Sequence, residues 1–290
     1  MAPIMASLTG RSGKPPILTP ARASRAHREA QVISHIMSAP RFFCELIAPT
    51  ESRLTFDPAV AHHIRVRRLK AGQPIVLFDG SGRESYATLQ FGESGQPHAL
   101  ITCTQTIDRE LPWPITLVQG IASQDRMDWV IEKAVEIGVS ALIPVLTDRS
   151  VIKLSPDRAK KRLLHWQKIV VSASEQCARN RLMQIYEPCS IGQAMLLCEN
   201  SPLLWCHASN TSAPIGSPGI VQTVFNAGRA CVIVGPEGGF SDPEATMLED
   251  AGARAVSLGP RILRTETAGL VAVSCLTTSL GAKGVAATSR

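Results

Sequence analysis

The sequence predicts an α/β protein in which a small strand-rich unit precedes a parallel sheet with helices on both faces. From Ile115 onward, short apolar runs alternate with helical patterns, which is typical of a parallel sheet. Residues 41–107 instead contain several strand patterns separated by turn signals, with one helical stretch among them. The 290 residues suffice for one large or two modest domains.

Composition narrows the function classes. The net charge of +6 permits an anionic partner, whereas an aromatic content of 4% disfavours a surface built from many stacked bases. No apolar run approaches the length of a membrane span, so no membrane partner is predicted. The eight cysteines include no CxxC pair. They are predicted to be reduced core residues of a cytoplasmic protein, with no metal site.

Residues 1–36 differ from the rest in composition. They are rich in Ala, Ser and Pro, carry several arginines and have one acidic residue, Glu29. They lack the apolar core of a secretory signal. We expect a disordered extension or a start codon placed too early, with Met37 as the working start. An organellar transit peptide is the alternative.

Residues 37–107 are predicted to form a small β-barrel. Asp57 and Pro58 begin a helix that should run to about Leu69, and residues 79–82 form a hairpin turn. The strand candidates are 41–46, 54–56, 75–78, 85–91 and 99–104. The helix carries a basic cluster that favours phosphate contact over a merely solvated face. That cluster comprises His62, His63, Arg65, Arg67, Arg68 and Lys70.

Residues 108–114, with prolines on both sides of Trp113, are predicted to be a linker. Residues 115–290 then form the larger domain, with roughly five parallel strands. The strands are expected at 115–121, 141–146, 203–206, 231–234 and 255–258. The helices are expected at 123–139, 155–177, 241–252 and 270–280, and 207–219 should be a loop.

Two glycine-containing loops follow the last two strands. The first is GPEGG, residues 235–239, and the second is GPRILRTETAG, residues 259–269. Loops that follow parallel strands meet at the carboxyl edge of the sheet, where open α/β folds bind ligands. Neither loop is a GxGxxG or a P-loop motif, so a dinucleotide or nucleoside triphosphate is disfavoured.

Together, GPEGGFSDPE and LGPRILRTETA resemble the cofactor loops of the SPOUT RNA methyltransferases. They are most similar to the family that methylates N3 of a uridine in small-subunit (16S) ribosomal RNA. The run from Trp166 to Arg181 and the start at Met37 resemble the same family, although Met183 stands where its pattern has proline. The resemblance implies a PUA-like barrel, a deep carboxyl-terminal trefoil knot and bound S-adenosylmethionine. A knot is rare, and no pattern in the sequence predicts one.

The resemblance also implies site residues. Expected cofactor contacts are Gly235, Glu237, Gly238, Gly239, Leu258, Gly259, Leu263, Arg264, Thr265, Thr267 and Ala268. A carboxylate would take the uridine proton and arginines would stabilise the resulting charge, and the catalytic candidates are Arg264, Glu266, Glu175 and Arg181. Expected RNA contacts are Arg41, His63, Arg65, Arg68, Lys70, Arg149 and Arg179.

The expected partners are small-subunit ribosomal RNA or the assembled small subunit, and a second copy of the chain. A homodimer is predicted because the apolar helix at 270–280 has few remaining elements to cover it. Two other functions stay open: a non-catalytic RNA-binding or ribosome-assembly protein on the same fold, and a methyltransferase that acts on another RNA. A Rossmann oxidoreductase is disfavoured by the missing GxGxxG.

Overall fold

The first sheet is mixed. The computed structural model describes residues 39–45, 47, 52–150, 152, 154–207 and 212–288, so the expectations for residues 1–36 lie outside the described residues. The strands of this sheet are β1 (Arg41–Phe43), β2 (Arg53–Thr55), β3 (Pro74–Phe78), β4 (Arg83–Phe91) and β5 (Pro97–Thr106). Their order is β1-β3-β4-β5-β2, with β1 and β3 parallel and the other pairs antiparallel. Over the described ranges, this pairing is an open path rather than the closed ring of a barrel.

One helix, α1 (Pro58–Val66), packs against this sheet. Asp57 caps it as predicted, because its Oδ1 accepts hydrogen bonds from the amides of Ala59 at 2.7 Å and Val60 at 2.9 Å. The helix ends at Val66 rather than near Leu69, and Arg68 adopts a positive φ of 54° just beyond it. The basic cluster therefore continues past the helix into a turn.

The second sheet is parallel throughout. Its strands are β6 (Ile115–Gly120), β7 (Ala141–Leu146), β8 (Gln184–Ile185), β9 (Cys189–Ser190), β10 (Leu203–Cys206), β11 (Ala213–Pro214), β12 (Ala230–Val234) and β13 (Arg254–Ser257). The order is β11-β13-β10-β12-β6-β7-β8, and β9 also pairs with β7. The five longer strands are the predicted ones. The other three span two residues each, which is too short to show a period in sequence.

Helices cover both faces of this sheet. They are α2 (Gln124–Glu136), α3 (Pro156–Cys177), α4 (Ile191–Leu197), α5 (Pro218–Ala227), α6 (Asp242–Asp250) and α7 (Thr265–Thr288). One core holds Met127, Trp166, Ile220 and Leu276, from α2, α3, α5 and α7. The core on the other face holds Ala194 and Leu248, from α4 and α6. The α/β class with a parallel sheet is therefore confirmed, whereas α4 and α5 were not predicted.

Helix α7 begins at Thr265, not at the predicted Leu270. The second glycine-containing loop is thus shorter than expected, and its last residues form the first helical turn. The apolar side of α7 is also buried within the chain itself, at Ala272, Val273, Leu276 and Leu280. Its exposed residues Ser274, Cys275 and Thr278 are small, so the premise of an uncovered apolar helix is wrong.

The described residues contain no helix with both the length and the apolarity to cross a bilayer. Over the same ranges, no three histidine, cysteine or acidic side chains cluster as a metal site would. Residues 40–290 form one compact unit, which includes both sheets.

Candidate cofactor and RNA site

A cavity of about 600 Å³ opens where the parallel strands end. Its lining includes these predicted cofactor residues: Gly235, Glu237, Gly239, Leu263, Arg264, Thr265 and Ala268. The volume lies within the range typical of small-molecule sites, about 300–1,000 Å³. The two glycine-containing loops thus form one site, as their positions after parallel strands predicted.

The strand β10 lies between β12 and β13, so the two loops do not follow adjacent strands. The end of β10 contributes Trp205, Cys206 and His207 to the cavity wall. The Trp205 ring contacts the rings of His207 and Phe240, with centroids 4.6 Å and 6.2 Å away. The sequence did not indicate that these three residues line the cavity, because a four-residue strand followed by His207 matches no motif.

The first loop rests directly on the end of β6. A Cβ atom added to Gly120 would lie 2.3 Å from the backbone nitrogen of Pro236, closer than any real contact. Only glycine fits at this position, because the loop backbone occupies the space of a side chain. The absence of a side chain at Gly120 therefore allows the first loop to lie directly against the end of β6.

Buried hydrogen bonds join the first loop to the start of α7. The Thr265 hydroxyl donates to the carbonyl of Gly235 at 2.5 Å and accepts from Gln119 Nε2 at 2.9 Å. Gln119 is fully buried, and its Oε1 has no hydrogen-bond partner. Thr265 was predicted as a cofactor contact, and the structure shows that its hydroxyl holds the two loops together. Gln119 was missed, since a lone glutamine in a strand carries no signal.

Charged side chains cluster at the rim of the cavity. Arg126 donates to Glu237 Oε1 at 3.0 Å and lies 3.8 Å from Glu266 Oε1. Arg264 approaches the same Glu266 oxygen from the other side, at 4.0 Å. The second oxygen of Glu266 is buried and has no partner. Glu266 therefore lies beside two residues of the cavity lining, Arg126 and Arg264, although Glu266 itself does not line the cavity. Arg126 is an additional cation that the sequence did not indicate.

Arg149, predicted to contact RNA, lines the cofactor cavity, and its contact with RNA stays a prediction. Its Nη1 lies 3.4 Å from the carbonyl oxygen of Gly238, and its Nη2 lies 3.8 Å from Asp242. A Cβ atom on Gly238 would approach the Cβ of Arg149 to 3.0 Å. Gly238 therefore packs against Arg149, which is part of the cavity wall. A side chain at position 238 would displace Arg149.

Three other predicted cofactor positions differ. Leu258 and Gly259 line a separate open cavity of about 480 Å³, together with Ser274 and Cys275 of α7. Thr267 is half-buried in the first turn of α7 and does not line the cofactor cavity. The contact assignment of these positions stays a prediction.

Glu175 lies apart from Glu266. It lines a cavity of about 670 Å³ between α1 and α3, which His63 also lines. One carboxylate oxygen accepts a hydrogen bond from the amide of Phe43 at 3.1 Å. Burial raises the pKa of Glu175, and the Phe43 amide and the nearby charges of His63, Arg67 and Arg41 only partly offset it. The chain therefore does not bring both predicted carboxylates into one cavity.

Two predicted RNA contacts have structural roles. Arg179 is buried, pairs with Glu110 through two nitrogens and donates to the carbonyls of Val135 and Val139. Arg41 pairs with Glu84 at 3.0 Å, and its guanidinium lies over the Phe78 ring. The RNA-binding assignment does not fit either residue, because both guanidinium groups are engaged within the chain.

The remaining predicted RNA contacts lie on or just after α1, beside the first sheet. Arg65, Arg68 and Lys70 are exposed on or just after α1, and Arg65 donates to Gln96 at 2.9 Å. His63 is half-buried, with its ring edge-on to Phe42 at 5.6 Å. Arg181, a predicted catalytic residue, is exposed beside the turn between β3 and β4 rather than in the cofactor cavity.

The cavity fits S-adenosylmethionine by its donors and acceptors. The cofactor has no phosphate, and the cavity lining contains no lysine. It carries a cationic sulfonium and amino groups, and the cavity lining includes the Glu237 carboxylate, with the Glu266 carboxylate next to the lining residues Arg126 and Arg264. Backbone groups of Gly235 and Gly239 are open to the cavity, so a ligand approaches them closely.

Comparison with known proteins agrees with this site. Residues 109–277 match the family model described as RNA methyltransferase domain, and residues 56–90 match the RNA methyltransferase PUA domain. The fold and cavity define an S-adenosylmethionine-dependent RNA methyltransferase of the SPOUT class, with a PUA-like domain before the catalytic one.

Individual relatives identify the family. The chain is 32% identical to Ribosomal RNA small subunit methyltransferase E of Bacillus subtilis, over 81% of this chain and 95% of that protein. A solved structure of Ribosomal RNA small subunit methyltransferase E from Neisseria gonorrhoeae, bound to S-adenosyl methionine, superposes with a TM-score of 0.75 at 35% identity, covering 83% of this chain and 97% of that one. The chain belongs to the ribosomal RNA small subunit methyltransferase E family.

Proposed function

We propose that the protein transfers a methyl group from S-adenosylmethionine to N3 of one uridine in small-subunit ribosomal RNA. The observation that carries this proposal is the cavity formed by the two glycine-containing loops, with Glu266 beside the lining residues Arg126 and Arg264. The similarity to small-subunit methyltransferases supports the choice of RNA.

The bound cofactor supplies an electrophilic methyl group, so the protein has to position it and activate the uridine. N3 of uridine is weakly acidic and must lose its proton for transfer. Glu266, which lies beside Arg264, is the candidate acceptor of this proton, and Arg264 can stabilise the negative charge that spreads onto the uracil oxygens. Arg264 is largely exposed, which leaves its guanidinium free to meet a base entering from solvent.

We also propose a homodimer. The apolar side of α7 does not support it, because that side is buried within the chain, and the support is instead an exposed residue beside the cofactor cavity. Ile262, in the loop before α7, is 89% exposed at the mouth of the cofactor cavity. The open cavity lined by Ile215, Leu258 and the exposed side of α7 adjoins the same loop. A second copy that covered Ile262 would also close the cofactor site. Sedimentation at micromolar concentration tests this, and a monomer would contradict it.

The proposed location is the cytoplasm, where ribosomal RNA is available.

Transfer of a labelled methyl group tests the activity. Purified protein should label small-subunit ribosomal RNA and leave large-subunit RNA unlabelled. Naked RNA and assembled small subunits are compared in parallel to define the substrate. Binding of both cofactor and RNA without transfer would support the non-catalytic alternative, whereas binding of NAD instead of S-adenosylmethionine would contradict the cofactor assignment.

A further inference from the structure

Arg181 is an exposed cation held in one position. Its backbone forms an antiparallel bridge with Ser81, in the turn between β3 and β4. Its guanidinium lies on Gly82, since a Cβ atom there would be 3.0 Å from Nη2, 3.1 Å from Cζ and 3.2 Å from Nε. Among the described residues, no acid pairs with this guanidinium and no acceptor receives its hydrogen bonds. Arg181 is therefore ordered by packing while its donors stay free.

The residue before it is fixed by a buried network. Asn180 Nδ2 donates to Glu84 Oε2 at 3.0 Å and to the carbonyl of Ile107 at 3.1 Å. The Asn180 carbonyl accepts from the Gly82 amide at 3.1 Å. These bonds tie the segment 180–181, which follows α3, to the turn of the first sheet. We call this junction the seam; it comprises Ser81, Gly82, Glu84, Asn180 and Arg181.

Glu84 is the centre of the seam. It is 1% exposed and accepts hydrogen bonds from Arg41, Arg109, Tyr86 and Asn180. Arg109 also donates to the carbonyl of Ala178, which adds a second tie to the same segment. Loss of the Glu84 carboxylate takes the ion-pair partner from two arginines and one acceptor from Asn180, so the segment that carries Arg181 is held less firmly.

We propose that Arg181 is a pre-organised binding site for a phosphate of the RNA backbone, and that Glu84 is its positioning residue. This inference rests on the proposed function and places Arg181 on the RNA backbone rather than on the reacting base. The planar guanidinium fork suits a phosphodiester, and its open side faces solvent. A side chain that is already ordered loses little entropy on binding. Arg41, Arg109 and Arg179 cannot share this role, since their donors are engaged within the chain.

Salt-dependent binding tests the site. Wild type, Arg181→Ala, Arg181→Lys and Arg229→Ala are compared for binding to small-subunit ribosomal RNA across a salt series. Arg229, an exposed cation at the opposite end of β12 from the cofactor loop, is the matched control. Arg181→Ala should flatten the slope of log Kobs against log salt by about 0.7 for a single-stranded phosphate contact. Arg181→Lys should weaken binding yet keep the slope, and Arg229→Ala should match wild type.

Steady-state kinetics separate backbone binding from catalysis. Arg181→Ala should raise KM for RNA several-fold with kcat unchanged. An unchanged salt slope together with a lowered kcat would overturn the proposal, because it would indicate that Arg181 acts on the reacting base and not on the RNA backbone. Because binding is measured without methyl transfer, failure of the proposed activity on this RNA would leave the salt comparison interpretable.

A double-mutant cycle tests Glu84. Glu84→Gln should raise KM for RNA and leave S-adenosylmethionine affinity unchanged, and it should add no further loss in the Arg181→Ala background. Equal losses in both backgrounds would show that Glu84 does not act through Arg181. If Glu84→Gln fails to fold, Tyr86→Phe, which removes one hydrogen bond to Glu84 at 2.6 Å, replaces it in the same cycle.

Discussion

At the scale of single residues, Thr265 determines how the two cofactor loops meet. Thr265→Val keeps the shape of the side chain but leaves the Gln119 amide and the Gly235 carbonyl without this partner. We expect a loss of about 1–3 kcal/mol in the free energy of unfolding and weaker binding of S-adenosylmethionine. Urea denaturation and calorimetry measure the two effects.

The matched control is Thr277→Val on the same helix, where the hydroxyl donates to backbone carbonyls of its own turn. It should change stability by no more than about 0.5 kcal/mol and leave the affinity for S-adenosylmethionine unchanged. Equal effects of the two substitutions would show that the Thr265 hydrogen bonds do not determine the site.

Glu84 should make the protein sensitive to acid. Burial would raise its pKa, but hydrogen bonds from Arg109, Tyr86, Asn180 and Arg41 outweigh burial and lower the pKa from 4.5 to about 2. Because the folded pKa is depressed, the stabilisation is complete above pH 4.5 and is lost as the pH falls toward about 2. The shift corresponds to about 3 kcal/mol.

Urea unfolding of wild type and Glu84→Gln between pH 7 and pH 2 measures this contribution. Glu84→Gln should be less stable at neutral pH, and the gap should narrow as the wild-type carboxylate becomes protonated. A gap that is independent of pH would mean that the ionisation of Glu84 does not stabilise the fold.

Sequence patterns predicted residues with local roles better than residues with distant partners. Asp57 was recognisable as a helix cap because its two hydrogen-bond partners, Ala59 and Val60, lie within the next three residues. Arg41 and Arg179 were predicted to contact RNA, since nothing near them in sequence indicates that Glu84 and Glu110 are their partners. Gln119 and Arg126 were missed for the same reason, because their partners lie more than a hundred residues away.

At the scale of elements, the contact between β6 and the first loop is the tightest in the site. Gly120→Ala would place a Cβ 2.3 Å from the Pro236 nitrogen, so the loop must move away from the sheet. We expect a loss of S-adenosylmethionine binding and a large loss of stability. Calorimetry and thermal unfolding measure both.

Gly192→Ala is the control for this substitution. Gly192 lies in α4, and no atom lies within 4 Å of an added Cβ. The exchange should stabilise the helix by up to about 1 kcal/mol and leave cofactor binding intact. Normal binding by Gly120→Ala would contradict the loop geometry described above.

Strands of three residues or more were predictable as elements, and so were most helices, but α4 and α5 were not predicted and several element ends were placed wrongly. The helix from Ser155 through Cys177 was expected in full, because Ser, Pro and Asp stand at its start. Helix α7 begins five residues earlier than predicted. The sequence before Leu270 was interpreted as a binding loop, but its last residues form the first helical turn. The strand order around β10 depends on long-range pairing, which local patterns do not encode.

At the scale of the whole molecule, the first sheet should contribute RNA affinity and the second should contribute the cofactor. Replacing Arg65, Arg68 and Lys70 together with Ala should weaken RNA binding and flatten its salt slope, by about 0.7 per single-stranded phosphate contact. Cofactor affinity should not change, because these side chains lie outside the cofactor cavity. Filter binding across a salt series measures the slope, and an unchanged slope would mean that this basic face only keeps the protein dissolved.

The change from a mixed sheet to a parallel sheet was predictable from the change of pattern near Ile115. A knot is not predictable in this way, because threading is a property of the complete chain and leaves no local period, so only the resemblance to the SPOUT family implies it. The seam was also unpredictable, since Glu84 and Asn180 are separated by almost a hundred residues and meet only in the folded molecule.

The most direct test of the central claim is nucleoside mass spectrometry of small-subunit ribosomal RNA after incubation with the protein and isotopically labelled S-adenosylmethionine. The expected result is label in 3-methyluridine at a single position, lost with Thr265→Val in proportion to its weaker cofactor binding and retained with Thr277→Val. Label on another nucleoside, or bound cofactor and RNA with no label in the RNA, would contradict the proposed reaction.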